Sequence, residues 1–204
     1  MAILDIIQPD NPILRKKAVK VTSFDKKFQG LVDNMIETML DAPGVGLAGP
    51  QVAESKRVIV VYLPEPEDEE EYSDDAGELY VVANPKIIKT SKETVSGVEG
   101  CLSIPGYAGE VDRHEMVVVT GQDRHGKDFR IKARGWLARV FQHEIDHLDG
   151  RLFIDVASKI WPLPEDEEEG ETPPARESQP WEAEVMAAMM ERERELKSAG
   201  ESRP

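Results

Sequence analysis

Cysteine is nearly absent. Cys101 stands alone among 204 residues, so no intramolecular disulfide is possible and the fold must rest on its core. A lone cysteine is more often a small buried side chain than a reactive one, and its neighbours decide between those readings. No apolar run is long enough to span a bilayer. The opening Met1-Ala2-Ile3-Leu4-Asp5-Ile6-Ile7 lacks a basic start and is broken by Asp5, so it does not read as a signal peptide. With no Arg- and Ser-rich transit sequence either, a cytoplasmic protein without a membrane partner is expected. Bases are missing from two stretches: residues 65–78 hold nine acids and residues 165–171 hold six, with no Lys or Arg in either. Those fifteen account for the net charge of −15, because the other 25 of the 40 acids are matched by 25 Lys and Arg. The acidic runs read as solvated loops or linkers. Nothing in this balance favours direct nucleic-acid binding.

What is present suits one domain with a proper core and an appendage. Residues 1–22 read as irregular. Phe28, Leu31, Val32, Met35, Ile36, Met39 and Leu40 then recur at the spacing of one helix face, with Ser23 as N-cap and Pro43-Gly44 as the stop. Strands are expected at 57–63, 79–83, 86–89, 116–120 and 128–133, rich in valine and isoleucine, with a hairpin turn at 123–126. Strands in runs, followed by a helix, argue for an α+β fold. Trp136, Leu137, Val140, Phe141, Ile145 and Leu148 give that second helix its apolar spacing, and Gly150 ends it. The body is expected to span 1–161, an acidic, proline-rich linker 162–180, and an amphipathic C-terminal helix and tail 181–204.

The second helix carries Gln142-His143-Glu144-Ile145-Asp146-His147. Two histidines four residues apart lie one above the other on a helix face, where one metal ion can take both, and the intervening Glu144 sits beside that ion as a proton acceptor. The pattern arises by chance on polar helices. On a helix that packs into a core, however, an unligated polar pair is costly. A third ligand is available in Glu99-Gly100-Cys101-Leu102-Ser103: Cys101 as a thiolate completes a two-His, one-Cys set with an open fourth position, the catalytic rather than the structural arrangement. His114 and His125 lie in polar, turn-like contexts and are expected on the surface. Gly44-Val45-Gly46-Leu47-Ala48-Gly49-Pro50-Gln51 has no Lys-Ser or Lys-Thr after it, so it reads as a backbone that approaches something closely, with Gln51 as an uncharged donor for an oxyanion.

Together, residues 44–51, 99–103 and 142–150 resemble the three signature motifs of the peptide deformylase family, in the family's order, within a similarity running from about residue 5 to residue 158. The resemblance implies an α+β body with antiparallel β-sheets wrapped around a central helix that carries the His-Glu-x-x-His motif. It implies Cys101, His143 and His147 as metal ligands, Glu144 as general acid/base, and Gln51 with the Leu102 backbone N–H as oxyanion donors. One Fe(II) per chain is implied, often replaced by zinc, nickel or cobalt. The activity implied is removal of the N-formyl group from formyl-methionyl peptides, releasing formate, with metal-activated water as nucleophile. Val45, Gly46, Leu102, Val140 and the alkyl part of Arg139 are expected around the methionine side chain. Arg139 either meets the substrate backbone or forms a surface ion pair, and Glu99 fixes a neighbouring backbone or pairs with Arg139.

Several positions depart from the family pattern. Gly49 stands where alanine is usual and is expected to add backbone freedom, and Ala108 stands where many members carry an arginine that contacts substrate. The acidic insertion and the long tail are also unusual. Some members dock on the ribosome through a basic C-terminal helix. Residues 181–198 carry five glutamates against three bases, so that mode of ribosome contact is not expected. A metallopeptidase shares the His-Glu-x-x-His logic but does not require Cys101. A non-catalytic metal-binding protein would not need Glu144 and Gln51, and an enzyme for other N-acyl groups is the third alternative.

Overall fold

A computed structural model describes residues 2–42, 44–64 and 77–164. The expectations for residues 65–76 and for the tail beyond 164 lie outside that set. Helix α1 (Lys26–Asp41) forms where the apolar spacing indicated. Its cap is Asp25 rather than Ser23. The Asp25 carboxylate accepts the N–H groups of Lys27 and Phe28 at 3.0 Å each, and Ser23 donates its hydroxyl to the same carboxylate. A capping side chain has to reach the donors two and three residues on, and Ser23 lies too early for that. Phe28, Val32, Met35 and Met39 are buried in the core. Leu40 points away, 53% exposed, because it sits 100° around the helix from Met39.

The strands are β1 (Gly46–Ala48), β2 (Val58–Tyr62), β3 (Leu79–Thr90), β4 (Thr94–Cys101), β5 (Ile104–His114), β6 (Met116–Gln122), β7 (Asp128–Arg134) and β8 (Lys159–Pro162). They form a five-stranded sheet in the order β1-β2-β3-β6-β7 and a three-stranded sheet in the order β4-β5-β8, with antiparallel pairing throughout. The two segments expected at 79–83 and 86–89 are one strand, with register shifts between Ala83 and Lys86 and between Ile87 and Lys89. The expected turn holds, with Gly126 N–H donating to the Asp123 carbonyl. Strand β8 runs to Pro162, and the Leu163 N–H donates to the Gly106 carbonyl, so the first residues assigned to the linker are stitched to the body.

Helix α2 (Gly135–Leu148) packs against β1, β2, β6 and β7 of the large sheet and against β5 of the small one. Leu137, Ala138, Phe141, Ile145 and Leu148 meet Ile59, Val61, Val82, Val117, Val119 and Ala133 in one core cluster. Alternate residues of β2, Val58 and Val60, face α1 on the opposite side, so this strand is buried on both faces. A third cluster, including Ile104, Val111, Leu152, Phe153 and Ile160, lies under the small sheet. The fold is α+β, with antiparallel sheets about a central helix. Helix α2 stops at Leu148, and Gly150 follows with φ +77°, where a Cβ would come within 2.8 Å of the Arg15 backbone. Trp136 is half exposed in the first turn rather than buried with its neighbours. No helix among the described residues is long and apolar enough to cross a membrane.

Candidate metal centre

His143 and His147 project from one face of α2, their ring centroids 4.9 Å apart and inclined at 76°. Cys101 arrives from the end of β4. Its register partner is Ile104, whereas the preceding Gly100 pairs with Ala108, so the chain loops out between Ile104 and Ala108. That irregularity re-aims the strand end as a β-bulge does, and only Leu102 and Ser103 link the two strands. The Cys101 Sγ lies 3.2 Å from the His147 Nε2, and the three candidate ligand atoms all lie within 4.8 Å of one another. Atoms sharing one tetrahedral ion sit roughly 3.3–3.6 Å apart. One sulfur and two imidazole nitrogens at this spacing fit a divalent metal ion.

The Glu99 carboxylate organises the far side of His143. One oxygen lies 3.0 Å from the His143 Nδ1, which leaves the Nε2 as the ligand atom. Arg113 donates to both Glu99 oxygens at 2.9 Å, and Arg139 donates to one of them at 2.9 Å. Arg113 also donates to Asp146 at 2.6 Å, back on α2. Burial would push Glu99 up, but its bonds from Arg113 and His143 hold it at about 2. Burial disfavours protonation of both histidines. In His143 the contacts with Cys101 and Glu99 reverse this and raise its pKa well above the usual value, whereas in His147 burial and the neighbouring His143 charge lower it. Metal binding needs both rings neutral, so an ion and a proton compete at this centre.

Glu144, between the two histidines, is 4% exposed, and its Oε2 has no hydrogen-bond partner among the described residues. It faces Gly46: a Cβ there would sit 2.8 Å from the Glu144 Cδ, so only glycine admits this carboxylate. Burial, the largest influence, raises Glu144 to about 7 against the opposing attraction of His143. Gln51 is oriented by its own turn. Its Oε1 accepts the Ala48 N–H at 2.8 Å, which aims the Nε2 at the Cys101 Sγ, 3.6 Å away, and at the Ser103 hydroxyl, 3.3 Å away. These groups open on a cavity of about 410 Å³ lined by Val45, Gly46, Gln51, Glu99, Cys101, Leu102, Arg139, Val140, His143 and Glu144. Every predicted site residue except His147 therefore lines one cavity, and His147 is buried behind it.

Other residues were not foreseen. Ile104, Tyr107, Trp136 and Leu163 add larger side chains to the wall. Tyr107 and Trp136 could have been suspected as apolar side chains flanking the motifs, but Leu163 lies 61 residues from Leu102 with no motif of its own. Arg113 had a signal that was missed: in a β4–β5 hairpin, residues 99 and 113 share a face. Three expectations are corrected. His114 ends β5 half-buried, its Nδ1 without a partner among the described residues, and only His125 is exposed. Gly49 is defined by close approach and not by freedom, since a Cβ there would lie 2.5 Å from the Lys56 carbonyl oxygen and 2.9 Å from that of Glu54. Arg139 forms no surface ion pair: it is 7% exposed and its guanidinium turns inward. Ala108 is buried beside Trp161 of β8, and Tyr107 lines the cavity instead.

A family model described as polypeptide deformylase matches residues 3–161. A peptide deformylase of Symbiobacterium thermophilum is 49% identical over 195 residues, 96% of this chain and 81% of that protein. The crystal structure of peptide deformylase from Ehrlichia chaffeensis in complex with actinonin matches with a TM-score of 0.71 at 42% identity, covering 78% of this chain and 91% of that one. A Met-Ala-Ser-bound class I type b peptide deformylase from Acinetobacter baumannii matches with a TM-score of 0.69 at 37% identity, covering 76% of this chain and 98% of that one. The matched span takes in α2, all but the last residue of the two sheets and every cavity residue except Leu163, and the chain belongs to the polypeptide deformylase family of metal-dependent hydrolases.

Proposed function

We propose that this protein removes the formyl group from the N-terminal formyl-methionine of newly made polypeptides. The observation that carries the reading is the convergent Cys101–His143–His147 set beside Glu144, glycine-walled and with its Oε2 unpartnered among the described residues, at the end of a cavity. Cys101, His143 and His147 would hold one divalent ion. Fe(II) is our choice, with zinc, nickel or cobalt able to replace it, since a thiolate with two imidazoles suits all four. When bound, such an ion supplies Lewis acidity and makes water nucleophilic near neutral pH.

The chain's own groups do the rest. Glu144 takes the proton of the attacking water and delivers a proton to the departing amine nitrogen; its position near pH 7 suits both transfers. The Gln51 Nε2 and the Leu102 backbone N–H donate to the formyl oxygen as negative charge grows on it. The C–N bond breaks, water supplies the oxygen and hydrogens, and the products are formate and a free amino terminus. Val45, Gly46, Leu102, Val140, Glu99 and the stem of Arg139 form the wall against the methionine side chain. We place the reaction in the cytosol, where a thiolate stays reduced.

Formate release from formyl-Met-Ala-Ser tests this, using protein loaded anaerobically with Fe(II) beside Glu144→Ala. Rapid release by the wild type and near-complete loss in the variant are expected. Cleavage of unformylated peptides with no formate released would sink the assignment in favour of a peptidase.

A further inference from the structure

The ligand set is split between two elements that share no chain continuity: the histidines ride on α2, and Cys101 rides on the β4–β5 hairpin. Arg139 spans the gap. It stands one turn before His143 on α2, and its guanidinium lies across the small sheet. The Nη1 donates to the Val111 carbonyl at 2.8 Å, to Glu99 at 2.9 Å and, more weakly, to the Gly97 carbonyl at 3.4 Å; the Nη2 donates to the Val95 carbonyl at 2.7 Å. Three backbone carbonyls from both strands of the hairpin and one buried carboxylate therefore converge on a single helix side chain. Gly97 makes this possible. A Cβ there would lie 2.8 Å from the Arg139 Nη2 and 2.9 Å from its Cζ, so the guanidinium rests directly on the glycine backbone.

From this we infer that Arg139 is a positioning residue, with Gly97 as its seat: it clamps the hairpin to α2 so that the Cys101 sulfur meets the two imidazoles at metal-binding distance. The planar fork matters as well as the charge. A lysine carries the charge but cannot address several acceptors at fixed angles. Arg113 and Asp146 form the neighbouring ion pair, so the buried charges of Arg113 and Arg139 are balanced by Glu99 and Asp146. The role concerns the metal centre itself and rests on the proposed ligand set, not on the identity of the substrate.

The test is equilibrium binding of cobalt(II), measured against a competing chelator, with the thiolate-to-cobalt absorption as the readout of Cys101 ligation. The proteins compared are the wild type, Arg139→Leu, Arg139→Lys and Gly97→Ala. Gly97→Ala leaves every charge in place and displaces only the guanidinium. Cobalt affinity is expected to fall about 10–100-fold in Arg139→Leu, the range typical for lost outer-shell support. It should fall by a smaller factor in Arg139→Lys and Gly97→Ala, with weakened thiolate absorption in each. Thermal unfolding of the metal-free proteins, run alongside, sets a temperature at which each fold is intact. Wild-type cobalt affinity and absorption in Gly97→Ala and Arg139→Lys would overturn the inference even if Arg139→Leu failed to fold. If the variants lost cobalt as expected while the wild type released no formate, the positioning role would stand and the proposed activity would fall.

Discussion

Helix α2 and the β4–β5 hairpin each deliver ligand atoms to one centre, but they hold those atoms by different means. In α2, His143 and His147 are placed four residues apart by local hydrogen bonding, and Leu137, Phe141, Ile145 and Leu148 seat the opposite face in the large core. Their mutual geometry is a property of any α-helix. The hairpin has no such guarantee. Its end is aimed by a register irregularity between Gly100 and Cys101, its strand β4 is the edge of a three-stranded sheet, and its connection to the helix runs through Glu99, Arg113 and Arg139. Local geometry fixes two ligands and tertiary contacts fix the third. Perturbations of the two regions should therefore separate.

The largest effect is one that spares neither region. Stripping the metal with a chelator should abolish formate release, and adding Fe(II) back should restore it; turnover by protein shown to be metal-free would break the whole reading. Next comes Glu144→Gln, confined to the helix. It is expected to lower kcat about 10²–10⁴-fold, the usual range for a lost acid/base group, while cobalt affinity stays close to wild type. A matching loss of affinity would mean that Glu144 holds the centre together rather than moving protons. Gly46→Ala acts from the cavity wall by pushing the Glu144 carboxylate aside, and a displacement of this kind costs up to about 10²-fold in rate. Unchanged kcat in that variant would show that the carboxylate tolerates movement. Gly49→Ala is the mildest: it forces a methyl against the Glu54 and Lys56 carbonyls and should cost about 1–3 kcal/mol of stability, read as a lower thermal midpoint, with the metal centre itself untouched.

The same contrast explains what the sequence disclosed. Helix α2, its buried face, the histidine pair and Glu144 are written in short-range spacing and were read directly. Gln51 and Cys101 are suggested by chemistry, a donor after a glycine run and a lone sulfur near Leu-Ser, and both line the cavity. Strands β4 and β5 went unseen because Gly97, Gly100, Gly106 and Gly109, with Pro105, depress strand propensity, and the Leu102-Ser103 link lacks the Asn-Gly signature of a tight hairpin. Their order comes from partners far away in sequence. Arg113 stayed hidden with them, since its relation to Glu99 exists only once the hairpin is paired. Ser23 has the residue type of a cap but Asp25 holds the place, and the difference of two residues is the ordinary uncertainty of an element boundary.

Strand β8 has a bearing on how the molecule behaves in a crowded solution. It is four residues long, carries Lys159 and ends at Pro162, and it covers the side of β5 that β4 does not. Short strands, lysine and proline are the features that discourage one sheet from adding to another. A chain cut before Lys159 would leave residues 107–110 of β5 with open backbone donors and acceptors, the template on which strands of other molecules assemble. Such a protein is expected to sediment as large species at concentrations where the intact chain does not. These four residues, none of them at the metal centre, would then decide whether the protein stays dispersed.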